Sequence, residues 1–171
     1  MADATYHLWL KPNGDARISL TEAILELSLE LGSPPFEPHV TLLANLKGTE
    51  TEHLKKSKLL ANTLQPFEIV LTEASYGDSY FQCLFMFVQQ TPVLMRAHAL
   101  ARSIFESAET PYMPHLSLVY GSYPPAKKRE IIQNLPEHLS TSFTTTNLFL
   151  IRANSGDPKD WHEVSSCPFT R

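Results

Sequence analysis

The chain has 171 residues, 43% of them hydrophobic and 19% charged, with a formal net charge of −4; that is enough to bury one core, as a single domain or two intimately packed lobes. The acidic balance argues against a protein that coats long nucleic acid, whereas a small phosphate ligand needs only a local cluster of donors. No apolar run approaches the roughly 20 residues of a membrane span, and Met1-Ala2-Asp3-Ala4-Thr5 has neither the basic start nor the apolar stretch of a secretion signal, so a cytoplasmic protein, expected to be a monomer, is the reading.

Tyr6–Leu10 reads as a short strand ended by Pro12-Asn13-Gly14-Asp15. Ser19-Leu20-Thr21-Glu22 then opens an amphipathic helix through about Leu31, which Gly32, Pro34 and Pro35 stop. After a Pro-flanked strand come a polar helix around Thr51–Leu64 and a strand Phe67–Leu71, and a loop, Tyr76–Ser79, divides the chain. The order then restarts with a strand Phe81–Val88, a helix from about Pro92 to Ser107 and a second Pro-flanked strand. Lys127–Asn134 reads as a short helix, Phe143–Ile151 as a strand, and His162–Ser166 as a last strand beyond the turn-rich Asn154–Asp160. The class expected is α+β: one domain over residues 1–171, a duplicated bilobal unit with halves of about 1–78 and 79–171. Small, antiparallel-rich sheets would line a central groove, with helices outside. Cys83 and Cys167 do not make a disulfide framework and are expected as reduced, packed thiols.

The duplication carries the chemistry. Pro35-Phe36-Glu37-Pro38-His39-Val40-Thr41-Leu42 is echoed by Pro111-Tyr112-Met113-Pro114-His115-Leu116-Ser117-Leu118, the histidines lying 76 residues apart (115 − 39). In a strand, residues i and i+2 share a face. His39 with Thr41, and His115 with Ser117, should therefore look into a groove while Val40, Leu42, Leu116 and Leu118 turn to the core. Pro38 and Pro114 suit strand starts, where a missing N–H removes no ladder bond.

Hydrolysis of a phosphodiester by in-line displacement requires water to lose a proton on one side of phosphorus while the leaving oxygen gains one on the other. Two imidazoles, each with an ordinary pKa of about 6.5, can divide those duties near neutral pH, and the Thr41 and Ser117 hydroxyls can hold the non-bridging oxygens. The bare His-x-Ser/Thr triplet is weak evidence, since His138-Leu139-Ser140 also has it and reads as a turn or helix end. Thr and Val favour strands in any case, and one histidine could be a satisfied core residue; specificity lies in the eight-residue frame and its duplication. No metal or other cofactor is expected: the two histidines lack the third ligand usual in catalytic zinc sites, and neither Cys-x-x-Cys nor His-Glu-x-x-His occurs.

Paired His-x-Thr/Ser strands resemble the signature of the two-histidine (2H) phosphoesterases, and within them the chain is most similar to the plant- and yeast-type cyclic phosphodiesterases. The likeness rests on Pro38–Thr41, Pro114–Gly121, Phe81-Gln82-Cys83 and Trp161-His162-Glu163-Val164, and extends over nearly the whole length. It implies opening of ADP-ribose 1″,2″-cyclic phosphate to ADP-ribose 1″-phosphate and of nucleoside 2′,3′-cyclic phosphates to 2′-phosphates, small products of RNA processing. It also implies that His115 is the water-activating base and His39 the acid, and that Tyr120 touches substrate. Simple alternation puts Tyr120 on the wrong face, so a bulge or strand end beside Gly121 is required; failing that, Tyr120 is an ordinary edge aromatic.

Trp9 has two readings, a stacking platform for a base or core packing. His7 could border the groove, His98 reads as structural, and Arg152 is a candidate for a second phosphate with no motif behind it. The lysine runs, Lys55, Lys56 and Lys58 and Lys127, Lys128 and Arg129, are ordinary solvated faces. The rival activities are a relative acting on RNA ends or 2′,5′-linkages, and a nucleotide-binding module without turnover.

Overall fold

In the computed structural model, which describes residues 4–108 and 110–170, strands and helices alternate for most of the chain. The first half gives β1 (Thr5–Leu10), α1 (Gly14–Leu31), β2 (Val40–Leu46), α2 (Glu50–Thr63) and β3 (Phe67–Tyr76). The second gives β4 (Leu84–Val88), α3 (Pro92–Phe105), β5 (His115–Val119), α4 (Pro125–Asn134), β6 (Ser142–Thr145), β7 (Asn147–Ala153) and β8 (Trp161–Pro168). Residues 1–3, which supply part of the reading of the amino terminus, lie outside the described residues. No helix among the described residues is long and apolar enough to cross a membrane.

The strands form one antiparallel sheet in the order β6-β3-β4-β5-β2-β1-β7-β8. The two Pro-flanked strands, β2 and β5, are its central pair, and the order outward is equivalent on both sides. Each half sends strands across: β3 joins β4, and β7 returns to β1 with β8 paired outside it. The seam between the two four-stranded groups is narrow, a single register pair, Val40 with Leu116, so the sheet is continuous yet bilobal. Helices α1 and α4 pack on the β3–β6 group, and α2 and α3 pack on the β1, β2, β7 and β8 group, apart from a smaller α3 contact with β3. Under the helices lies one apolar layer, with Leu8, Leu10, Leu42, Leu116 and Leu118 from the sheet and Leu20, Ile24, Leu60 and Leu94 from the helices all removed from water.

Several boundaries differ from the sequence reading for identifiable reasons. Helix α1 begins at Gly14, not Ser19, because Asn13 is its N-cap residue and Ala16 already belongs to the buried stripe that continues through Leu20, Ala23, Ile24 and Leu27. The Asn13 side chain spends its N–H on the Thr144 carbonyl at 2.7 Å. Gly32 does end the helix, in the left-handed conformation with φ 65°. The capping box that forms is Thr49 with Glu52, at the start of α2. The stretch Phe143–Ile151 breaks at Thr146, because its first part pairs with β3 and the rest with β1 and β8. Residues Tyr80–Gln82 form a turn of 3-10 helix, so β4 starts three residues later than expected. His138-Leu139-Ser140 ends another such turn. Both cysteines are buried and unbridged.

Candidate active site

The central strand pair brings the two motifs together. Val40, Leu42, Leu116 and Leu118 are buried on the helix side, and His39, Thr41, His115 and Ser117 line the opposite face, in one groove of about 660 Å³. His7, Trp9, Phe81, Tyr120 and Trp161 share its walls, as do Asn154 and Ser155 from the β7–β8 connection. His39 lies one residue ahead of β2, and His115 is the first residue of β5.

Both imidazoles are anchored by the same local device. His39 Nδ1 is 2.7 Å from the Glu37 carbonyl and His115 Nδ1 is 2.9 Å from the Met113 carbonyl, in each case two residues back across a proline. A carbonyl oxygen only accepts, so each Nδ1 carries the hydrogen and each neutral ring keeps its free lone pair on Nε2. The intervening Pro38 and Pro114 fix φ and hold the preceding residue extended, which explains why each histidine of this frame follows a proline.

The environments of the two rings are unequal. His39 is 6% exposed and lies flat on the Trp9 indole, with ring centres 3.5 Å apart and planes 7° apart. Burial pulls its pKa down to about 3, against the raising effect of the Glu37 carbonyl, and His7, His115 and Lys11 push in the same direction as burial. His115 is lowered by burial as well, opposed by the Met113 carbonyl. His7 is lowered by burial to about 4. An unfolded chain titrates its histidines near 6.5. Below that pH the unfolded state therefore binds more protons than the folded one, and stability falls with pH until the folded groups themselves titrate. We expect ligand-free protein to lose stability progressively from about pH 6.5 down to about pH 3; urea midpoints that stay level over that interval would contradict the assignment of neutral, buried rings.

Ser117 Oγ donates to the Phe81 carbonyl at 3.0 Å, tying β5 to the 3-10 turn that carries Phe81 into the groove. Behind Thr41, the Tyr112 hydroxyl donates to the Thr41 carbonyl at 2.9 Å, and the Tyr112 ring stacks at 3.8 Å on His98. His98 Nδ1 in turn lies 2.8 Å from the Leu42 carbonyl, so His98 braces β2 from the side away from the groove. Strand β5 ends at Val119, and Gly121, with φ 155°, donates its N–H to the Tyr80 carbonyl at 3.0 Å. This strand end turns Tyr120 into the groove, stacked at 3.8 Å on Phe36. Burial raises the Tyr120 pKa, which keeps its hydroxyl a proton donor.

Trp9 differs from one of its two expectations. One face of its indole is covered by His39 and its edge meets Trp161 at 5.7 Å; it is a floor for the imidazole, 6% exposed, not an open platform for a base. Further aromatic surface on the groove wall comes from Phe81 and Trp161, 6.2 Å apart. Neither is expected as a site residue from the sequence, although both stand in segments that carry the family likeness, Phe81-Gln82-Cys83 and Trp161-His162-Glu163-Val164. His7 does line the groove. Arg152 does not: it is paired with Tyr6 across the strands and reaches Glu50, with its Nε donating to Asn154. Among the described residues no group of three or more His, Cys, Asp or Glu is placed to hold a metal ion.

Two histidine–hydroxyl pairs on the central strands of a bilobal antiparallel sheet define the 2H phosphoesterase fold, and solved structures agree. Escherichia coli LigT complexed with 3′-AMP superposes with a TM-score of 0.66 at 16% identity, covering 98% of this chain and 99% of that one. TT0787 of Thermus thermophilus gives 0.70 at 17% identity, covering 96% and 97%. In sequence, a cyclic phosphodiesterase of Arabidopsis thaliana is 30% identical over 169 residues, which is 95% of this chain and 93% of the relative. Residues 4–168 match the family described as cyclic phosphodiesterase-like protein, and the chain belongs to that family.

Proposed function

We propose that the protein is a metal-independent cyclic phosphodiesterase that hydrolyses nucleoside 2′,3′-cyclic phosphates to 2′-phosphates and ADP-ribose 1″,2″-cyclic phosphate to ADP-ribose 1″-phosphate, acting as a cytoplasmic monomer. The observation that carries the reading is the matched pair of imidazoles, each with Nδ1 tied to a carbonyl, together with a hydroxyl on each strand in the same groove.

The reaction needs one acid and one base. Water attacks phosphorus as His115 Nε2 takes its proton; the bond from phosphorus to the 3′-oxygen breaks as His39 Nε2 supplies a proton to that oxygen. Thr41 holds one non-bridging oxygen, Ser117 holds another by turning its single O–H from the Phe81 carbonyl to the phosphate, and Tyr120 donates from the side. Ligand-free His39 is neutral, so the substrate's negative charge must draw a proton onto it. The Trp9 face stacked beneath the ring favours that imidazolium. The division of roles follows the family resemblance.

The test is turnover of 2′,3′-cyclic nucleotides and of ADP-ribose 1″,2″-cyclic phosphate in EDTA. Rates should be unaffected by chelator, and kcat/KM should follow a bell-shaped pH profile, one limb for each imidazole. A rate that is flat from acid to alkaline pH, or that requires added metal, would refute the mechanism; tight binding without product would favour a nucleotide-binding module.

A further inference from the structure

The groove that holds the two imidazoles is lined by eighteen described residues, none of them lysine or arginine. Its ionisable lining groups are His7, His39, His115 and Tyr120, and burial holds all four toward their neutral forms. The charges at its margins are mostly acidic. On the β7–β8 connection, Asp157 is paired with Lys159 at 2.9 Å, and Asp160 accepts from Ser155. Beyond Trp9 and Trp161, Lys11 is held between Glu37 and Glu163, both at 2.7 Å, one ammonium against two carboxylates. Past Phe81 and Gly156 the groove opens into a second cleft lined by Gly32, Ser33, Pro34, Tyr80 and Asp157, again without a basic residue. Arg152 is turned to Glu50, on the face of β7 shared with Tyr6.

A substrate's cyclic phosphodiester brings one negative charge, which the two imidazoles and two hydroxyls can hold. Each further phosphate would be set against neutral walls, aromatic in part and polar in part, and a mostly acidic rim, with no guanidinium or ammonium among the described lining residues to receive it. We propose that this site is selective for cyclic phosphates that carry no second phosphate, the nucleoside 2′,3′-cyclic monophosphates with a free 5′-hydroxyl, over substrates extended by a diphosphate or by a nucleotide chain. The aromatic pair Phe81 and Trp161 takes the base, and the rest of the lining, with Ser79, Gln82, Asn154 and Ser155, offers a second phosphate neutral donors but no cation. The inference rests on the phosphodiesterase reading above and ranks the substrates within it.

The test compares adenosine 2′,3′-cyclic phosphate with the same compound bearing a 5′-phosphate, and with ADP-ribose 1″,2″-cyclic phosphate, at ionic strengths from about 20 mM to about 500 mM, where the screening length shrinks several-fold. The 5′-phosphate should lower kcat/KM about tenfold at low salt, and the deficit should narrow as salt rises, since screening relieves repulsion. ADP-ribose 1″,2″-cyclic phosphate should follow the 5′-phosphorylated compound in both respects. Arg152→Gln should leave the ratio between the two adenosine substrates unchanged. A 5′-phosphate that raises kcat/KM, an advantage that decays with salt, or a ratio that worsens in Arg152→Gln would each overturn the proposal by revealing a cation that serves the second phosphate. Equal turnover of all three substrates overturns the charge preference alone, whereas no turnover of any of them overturns the phosphodiesterase reading with it.

Discussion

Replacing His115 with alanine is expected to lower kcat on a 2′,3′-cyclic nucleotide by about 10²–10⁴-fold, with little change in KM, and His39→Ala should do the same. Proton transfer to and from the reacting oxygens occurs in the transition state, so its loss is felt in kcat and kcat/KM together. Because the two imidazoles serve a single displacement, the double variant should be only slightly worse than the worse single one. His115→Ala is the cleaner comparison. His39 fills a slot against Trp9, Phe36 and Trp161, so its removal opens a hole that softens the fold as well as removing a proton donor. Thermal melting of each variant separates the two effects, and the pH profile of His115→Ala should retain one limb only. More than a tenth of wild-type kcat in His115→Ala would remove it from the chemistry.

The features legible in the sequence were those fixed by local spacing. Two-residue periodicity placed His39, Thr41, His115 and Ser117 on one face and their aliphatic neighbours on the other, and Gly32 and the following prolines marked a real helix end. The extra face change at Tyr120 was also legible, because alternation failed there and Gly121 offered the break. Partners brought from far along the chain were not legible. The exchange of β3 and β7 between lobes depends on pairings such as Ile69 with Phe143 and Leu8 with Leu150, and no short window contains them. Trp9 shows the limit most clearly: its strand position gave the correct face, but whether that face met a ligand or another side chain was decided by His39, thirty residues on (39 − 9). The third unforeseen element was Lys11, which in sequence is one basic residue before a turn.

Lys11 follows the last residue of β1 with its side chain 8% exposed, bridging Glu37 and Glu163 while lying 4.5 Å from the centre of the Phe149 ring. It therefore ties three separate pieces of chain: the end of β1, the segment that leads into His39, and the strand that begins at Trp161. Lys11→Met should destabilise the protein by about 1–3 kcal/mol. A fully buried pair broken on one side loses about 3–5 kcal/mol, but Glu37 and Glu163 keep 40% and 44% of their side chains in water and can turn outward, which reduces the loss. For a chain of this size that corresponds to a melting point lower by roughly 3–10 °C. Activity should fall too, because the Glu37 that Lys11 holds supplies the carbonyl that orients His39, and a catalytic group released from its orientation forfeits part of the rate without weakening substrate binding. The expected signature is kcat reduced about tenfold with KM nearly unchanged, partly restored in Lys11→Arg, which keeps the charge. Glu163→Gln, which leaves the Lys11–Glu37 pair in place, should lose less on both measures; if Lys11→Met melts with the wild type and turns over at its rate, the ion pair holds nothing that the histidine needs.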